Sequence, residues 1–186
     1  MRELTKEFFA AGTLSVARKL LGTVLSHNDC KGIIVETEAY KTDDASHYST
    51  RRHKAKALTD TYGHVYIYLN YGMYNLLNFT TERNGIGAVL IRAVEPLEGI
   101  EFMQKRRNTT DLLNLTNGPG KLCQAFGIGS ELNNQIVGDS ITLFHRRSKP
   151  EIEESARIGI TKARDLNWRF FIKSNEYVSK YKAEKL

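Results

Sequence analysis

The chain has 186 residues, 41% hydrophobic and 26% charged, with 27 Lys and Arg against 21 Asp and Glu and a formal net charge of +6. That is enough apolar material for one packed domain and argues against a disordered chain; no run approaches the ~18 consecutive apolar residues of a membrane-spanning helix. Two cysteines, Cys30 and Cys123, lie in no CxxC motif and are too few for a disulfide framework, so both read as free thiols in a reducing compartment.

Residues 8–17 faintly resemble the apolar core of a signal peptide. However, Glu3 and Glu7 precede them, Arg18 and Lys19 follow, and no small-residue cleavage site stands out, so they read better as the approach to a helix. Leu14, Ala17 and Leu21 recur at helical spacing and predict a helix over 13–21, capped by Thr13 or Ser15 and ended by Gly22. Strands follow at 23–26 and 32–40, joined by the turn-rich His27-Asn28-Asp29-Cys30-Lys31. Residues 41–60 form a polar, basic stretch without a period, long enough to be a functional loop. Residues 65–71 alternate, with Val65, Ile67 and Leu69 on one side and Tyr66, Tyr68 and Asn70 on the other, before a turn at Tyr71-Gly72.

Two more strands are predicted at 76–80 and 88–94. A helix over 96–107 would take Pro96 at its first position and Lys105, Arg106 and Arg107 at its C-terminal end. A short helix fits 119–126, opened by Asn117-Gly118; 140–144 and 168–172 read as late strands, and 146–154 as a charged surface loop. There is no internal repeat or linker. Strands succeed one another by turns rather than alternating with helices. The expected class is therefore α+β, a single domain over 1–186 with a largely antiparallel, curved β-sheet flanked by helices.

Three groups of residues carry chemical content. Glu36, Glu38 and Tyr40 are two apart on the strand over 32–40 and should share a face. The two acids could divide the labour, one as a base that activates water and one as an anchor for a nearby cation; the alternative is a strand edge carrying two solvated glutamates. Five of the nine tyrosines (Tyr62, Tyr66, Tyr68, Tyr71 and Tyr74) fall between 62 and 74. Their rings could stack on nucleic-acid bases, and Tyr71 on its tight turn could wedge into a duplex; the alternative is a tyrosine-rich antiparallel strand. The basic stretches Arg51-Arg52-His53-Lys54, Lys105-Arg106-Arg107 and Arg146-Arg147-Ser148-Lys149 could contact phosphates or be solvated faces. Gly118-Pro119-Gly120-Lys121 lacks the spacing of a nucleotide-binding loop, yet at a helix start it could hold one DNA phosphate. His47, His53, Asp43 and Asp44 fit no common zinc spacing, and no metal is expected.

The chain resembles the alkyladenine (3-methyladenine) DNA glycosylases of the mammalian type. The pieces that carry the resemblance are Ala17-Arg18-Lys19-Leu20-Leu21-Gly22, residues 34–40, Ala45-Ser46-His47, 65–74 with Asn78, 90–99, 118–125, Arg157-Ile158-Gly159-Ile160 and Trp168-Arg169-Phe170. They fall in the family's order from about 7 to 179. The resemblance implies a base-excision repair enzyme that hydrolyses the N-glycosidic bond of a flipped-out alkylated or deaminated purine and leaves an abasic site. Glu38 matches the general base and Arg92 the residue that helps hold the acid and its water. Tyr40, His47, Tyr68 and Asn78 match the base pocket, Asn78 excluding the 2-amino group of guanine, and Tyr71 matches the intercalating wedge. Lys121, Gly120, Arg51 and Arg52 are candidate phosphate contacts. The implied enzyme is monofunctional, needs no cofactor, and acts as a monomer on double-stranded DNA carrying damaged purines, away from membranes. It would be cytoplasmic and nucleoid-associated in a bacterium, nuclear in a eukaryote. A catalytically silent lesion- or RNA-binding protein using the same tyrosines is the competing reading. The chain departs from the family over 51–60, at Asn70, and at Asn167 in place of a proline.

Overall fold

In a computed structural model, the described residues are 1–50, 58, 59, 61–146 and 149–179, with only the backbone of His47 and Thr50. After a 3-10 turn at Lys6–Ala10, helix α1 spans Thr13–Leu20 and buries Val16, Ala17 and Leu20 on one side. Its N-cap is Gly12 rather than Thr13 or Ser15. The capping acceptor comes from far along the chain: the Thr13 N–H and hydroxyl both donate to Glu82 Oε1, at 2.9 and 2.6 Å. Gly22, at φ 81°, ends the helical segment as expected.

Strands β1 (Val24–His27) and β2 (Cys30–Tyr40) form a hairpin whose two-residue turn starts with Asn28 at φ 50°. One turn of helix, α2, covers His47–Thr50 within the stretch read as a loop. Strands β3 (Val65–Asn70) and β4 (Tyr74–Thr81) form a second hairpin, and β5 spans Gly87–Glu98. The predicted helix over 96–107 is therefore too long at its start. β5 runs on through Pro96, and the shift between the pairs Gly32↔Pro96 and Lys31↔Glu98 leaves Leu97 as an extra residue. A proline is tolerated beside such a bulge because the ladder is already interrupted there. Gly99, at φ 75°, then turns the chain into α3 (Ile100–Arg107). Helix α4 occupies Pro119–Phe126 as predicted.

Strands β6 (Thr142–Phe144), β7 (Ile152–Ser155) and β8 (Arg169–Ile172) complete the sheet. β7 lies in the predicted charged loop. Its glutamates suit an exposed edge, where charge discourages further pairing, so the charge run hid a strand. All strand pairings are antiparallel, in the order β3-β4-β5-β2-β1-β6. β2 is central. It pairs with β5 along one side, and on the other with β1 at its start and β8 at Glu36–Glu38.

The main core fills one face of the sheet, with Phe9, Phe79, Phe126 and Phe170 among its largest members. A smaller cluster of Ile33, Val35 and Ala93 lies apart from it, covered by Ile172, Tyr177 and Val178 from the C-terminal segment. Among the described residues no helix is long and apolar enough to cross a membrane.

Candidate active site

Two register shifts place the key side chains. On β2 the pairing passes from Ile34↔Val94 to Glu36↔Ala93, leaving Val35 extra; on β5 it passes from Ala93 to Ile91, leaving Arg92 extra. A bulge lets two consecutive side chains face the same way. Ile34 and Ala39 therefore belong to the main core, and the Thr37 hydroxyl donates to Ala17 O on the helix side. Glu36, Glu38 and Tyr40 share the opposite face with Val35, while Arg92 shares it with Ala93. Without the paired bulges the acids would continue the Ile34 row into the hydrocarbon core.

The two glutamates are not solvated, since each is 0% exposed. Glu38 Oε1 accepts the Ile158 N–H at 2.7 Å, and Oε2 accepts the Tyr40 hydroxyl at 2.8 Å and lies 3.2 Å from Arg92 Nη1. Glu36 Oε1 accepts from Arg92 Nε at 2.9 Å, Arg169 Nε at 2.6 Å and the Ser179 hydroxyl at 2.8 Å, and its Oε2 accepts the Ser179 N–H at 2.7 Å. Two carboxylates and two guanidiniums thus balance in a buried site, where removing one partner typically costs about 3–5 kcal/mol. Burial works against the Arg92 charge, but Glu38 and Glu36 together outweigh it and hold its pKa above the ordinary arginine value. Burial and the neighbouring Glu38 charge push the Tyr40 phenol well above its usual range, so it remains a hydrogen-bond donor.

Above this cluster opens a cleft of about 370 Å³. Its lining includes Tyr40 from β2, Tyr66, Tyr68 and Asn70 from β3, Asn78 from β4 and Arg92 from β5. Glu38 lies one layer below, behind the lining residues Tyr40, Arg92 and Ile158 that touch it. Asn78 is held in place because its amide nitrogen donates to the carbonyls of Tyr66 and Leu76, at 3.2 and 3.1 Å. Arg157 braces Tyr40, its guanidinium 4.7 Å from the ring centroid, while it pairs with Asp43 at 2.7 Å and donates to Ala39 O at 2.9 Å.

At the cleft's rim, the Met73 N–H donates to Asn70 O at 3.0 Å, closing a turn with Tyr71 at φ 51° and Gly72 at φ 69°. The register Asn70↔Tyr74 leaves three residues, Tyr71, Gly72 and Met73, between the strands, the first two of them left-handed. A tyrosine rarely occupies that conformation, and this one is 82% exposed.

Residues 7–176 match the profile of the methylpurine-DNA glycosylase (MPG) family. The chain belongs to that family. It is 44% identical to a protein of Prosthecochloris aestuarii provisionally named a 3-methyladenine DNA glycosylase, over 97% of this chain and 92% of the relative. A Clostridium perfringens protein of the same provisional name is 45% identical, over 95% of this chain and 98% of its own. One from Methanoculleus marisnigri is 40% identical over the same shares. The enzyme class is thus DNA glycosylase, and DNA is its substrate.

Of the candidate residues of this glycosylase, Glu38, Arg92, Tyr40, Tyr68, Asn78 and Tyr71 are gathered at or just beneath the one cleft. The backbone of His47 starts α2, beside the lining residues Ala45 and Ser46; its side chain lies outside the described residues, as do Arg51, Arg52, His53, Lys54, Arg147 and Ser148. Lys121 donates to Asn114 Oδ1 and Asn117 Oδ1 at 2.5 and 2.8 Å, and burial together with Arg107 lowers its pKa. A Cβ on Gly120 would meet the Tyr74 ring at 3.2 Å. The tyrosine cluster divides. Tyr62 turns away to Glu7, with Lys6 and Arg83 over its ring. Asp43 is committed to Arg157, whose hydrogen bonds lower its pKa against the opposing effect of burial.

Sequence reasoning gave no role to Arg157, Arg169, Ser179 or the Ile158 N–H. Arg157 and Arg169 lie inside the matched motifs, which was the available signal. The contact from Ser179 had none.

Proposed function

We propose that this glycosylase hydrolyses the N-glycosidic bond of alkylated or deaminated purines of the 3-methyladenine class, flipped out of double-stranded DNA, and leaves an abasic site. The observation that carries the reading is the buried Glu38 carboxylate behind the floor of a tyrosine-lined cleft, bonded to three residues of its wall. The cleft falls within the ~300–1,000 Å³ of small-molecule sites, suitable for a single base and not for a duplex. The target must therefore leave the stack.

Tyr71 enters the duplex from its rigid turn and fills the space the nucleotide vacates. The base slides between Tyr40, Tyr68 and His47. Asn78, its amide already tied to the strand, stands where the 2-amino group of guanine would collide. Glu38 then takes a proton from water as that water attacks C1′ of the sugar, and Arg92 holds the acid and the water in place. A methylated purine carries positive charge and leaves readily. A neutral lesion such as hypoxanthine also needs a proton delivered to the base. Lys121 has two of its three donors on Asn114 and Asn117, and the third can reach a phosphate; Gly120 lets that backbone approach, and Arg51 and Arg52 add charge to the same task.

No lysine lines the cleft among the described residues, which supports a monofunctional enzyme without a Schiff-base step. The reaction as written uses neither metal nor cofactor, and one chain supplies every group. The test is Glu38→Gln with duplexes carrying single defined lesions. It should bind a lesion duplex normally while releasing free base at least about a hundredfold more slowly. Wild-type release by Glu38→Gln would remove Glu38 from the role. Strand scission by the native protein without added base would overturn the monofunctional reading.

A further inference from the structure

The mechanism leaves one buried acid unused. Like Glu38, Glu36 lies behind the cleft lining, but of the wall residues it bonds only Arg92, and it carries four hydrogen bonds, more than Glu38. We infer that Glu36 is a positioning residue that holds Arg92 off Glu38, and that residues 175–179 keep it in place. This inference rests on the glycosylase reading above.

Arg92 is shared between the two acids, with Nε 2.9 Å from Glu36 and Nη1 3.2 Å from Glu38 Oε2. A guanidinium is a planar fork, so the shorter contact through Nε sets the plane and with it the position of Nη1. An arginine beside a single carboxylate settles into a bidentate pair that occupies both oxygens. With the Ile158 N–H already on Oε1 and the Tyr40 hydroxyl on Oε2, that arrangement would take up the acceptor capacity that must receive a proton from water. Glu36 prevents it by taking Nε and leaving Glu38 with one end-on contact.

Glu36 can do so only if it does not move. Arg169 Nε and both donors of Ser179 hold its two oxygens, and Arg169 is itself anchored by Ser155 Oγ at 3.0 Å and by the Ser179 carbonyl at 3.3 Å. Tyr177 and Val178 pack next to it against Ile33, Val35 and Ala93, and Asn175 donates to Glu95 at 2.8 Å. The segment thus lies over the same two strands that carry Glu36 and Arg92.

The competing account is that Glu36 merely neutralises Arg169. Glu36→Gln alone would not separate the two, because it leaves a buried guanidinium without its counter-charge. Glu36→Gln with Arg169→Gln removes one charge of each sign and keeps Arg92 and Glu38. Single-turnover release of 3-methyladenine from a lesion duplex is followed for the wild type and this double variant, beside melting temperature and duplex affinity. The double variant should melt near the wild type and bind within about twofold, yet release base about tenfold more slowly or worse. The loss should fall on the release step and not on affinity, because Arg92 now lies fully on Glu38. A release rate equal to the wild type would overturn the inference and leave Glu36 a neutralising partner. If the double variant does not fold, Ser179→Ala decides: it should lower the release rate while keeping duplex affinity, and an unchanged rate would overturn the inference. Wild-type protein that releases no base would instead refute the glycosylase reading beneath it.

Discussion

Tyr71→Asn separates folding from DNA engagement. The φ of 51° at Tyr71 places a bulky residue where the left-handed backbone costs about 1–2 kcal/mol, a region asparagine tolerates. Because the ring is 82% exposed, almost no buried area is lost with it. The variant should therefore gain about 1 kcal/mol, a rise of ~2–4 °C in melting temperature for a chain of this size. In the complex the lost ring removes stacking of about 1–3 kcal/mol, roughly a five- to 150-fold weakening of lesion-duplex affinity. The assays are thermal melting by circular dichroism and fluorescence anisotropy with lesion duplex at one fixed salt concentration. Release from a single-stranded lesion oligonucleotide, where no gap needs filling, should be spared. A variant that melts lower while binding the duplex as tightly as the wild type would refute both the strain and the wedge.

Glu82 caps α1 through Thr13 and pairs with Lys41 at 2.9 Å, so Glu82→Ala should cost about 1–2 kcal/mol and lower the melting temperature by several degrees. Although burial opposes its charge, the Thr13 and Lys41 contacts lower its pKa. Its stabilisation is thus fully present above the ordinary value of 4.5 and lost as pH falls through the lowered folded value, and Glu82→Gln should flatten that part of the acid stability curve. Burial pushes the Cys123 thiol up to about 12 and raises Cys30 as well. A thiol-reactive dye at pH 8 should modify neither in the native protein and both in denaturant; rapid native labelling would show that the site of attack is open.

The readable parts of this molecule were those governed by local period. The alternation over 65–71 correctly separated Tyr66, Tyr68 and Asn70, which line the cleft, from Val65 and Ile67, which do not. Period two likewise put Glu36, Glu38 and Tyr40 on one face, but it could not say which face. That depended on two extra residues, Val35 and Arg92, in strands nearly sixty positions apart. The burial of the acids was equally hidden, because the groups that pair with them come from Arg92, Ile158, Arg169 and Ser179. Spacing alone left solvated glutamates as an open alternative, and only the family motifs distinguished Glu38 from Glu36. Helix α1 was legible from its apolar spacing, whereas its cap was not, because the acceptor is Glu82. Pro96 misled because a proline suits a helix start and a bulged strand alike.

The tie between Ser179 and Glu36 spans 143 positions of sequence, and the one from Arg169 spans 133. Synthesis runs from the N-terminus at roughly 5–20 residues per second, so Glu36, Glu38 and Arg92 leave the ribosome well before the groups that hold them. Until those arrive, the acids and the arginine stay hydrated rather than sealed, and non-local closure of this kind is slow. A nascent or prematurely stopped chain would thus have the residues of the cleft but not their arrangement. On the reading proposed here, an enzyme whose errors would scatter abasic sites through DNA gains its cutting geometry only after residue 179 has been made.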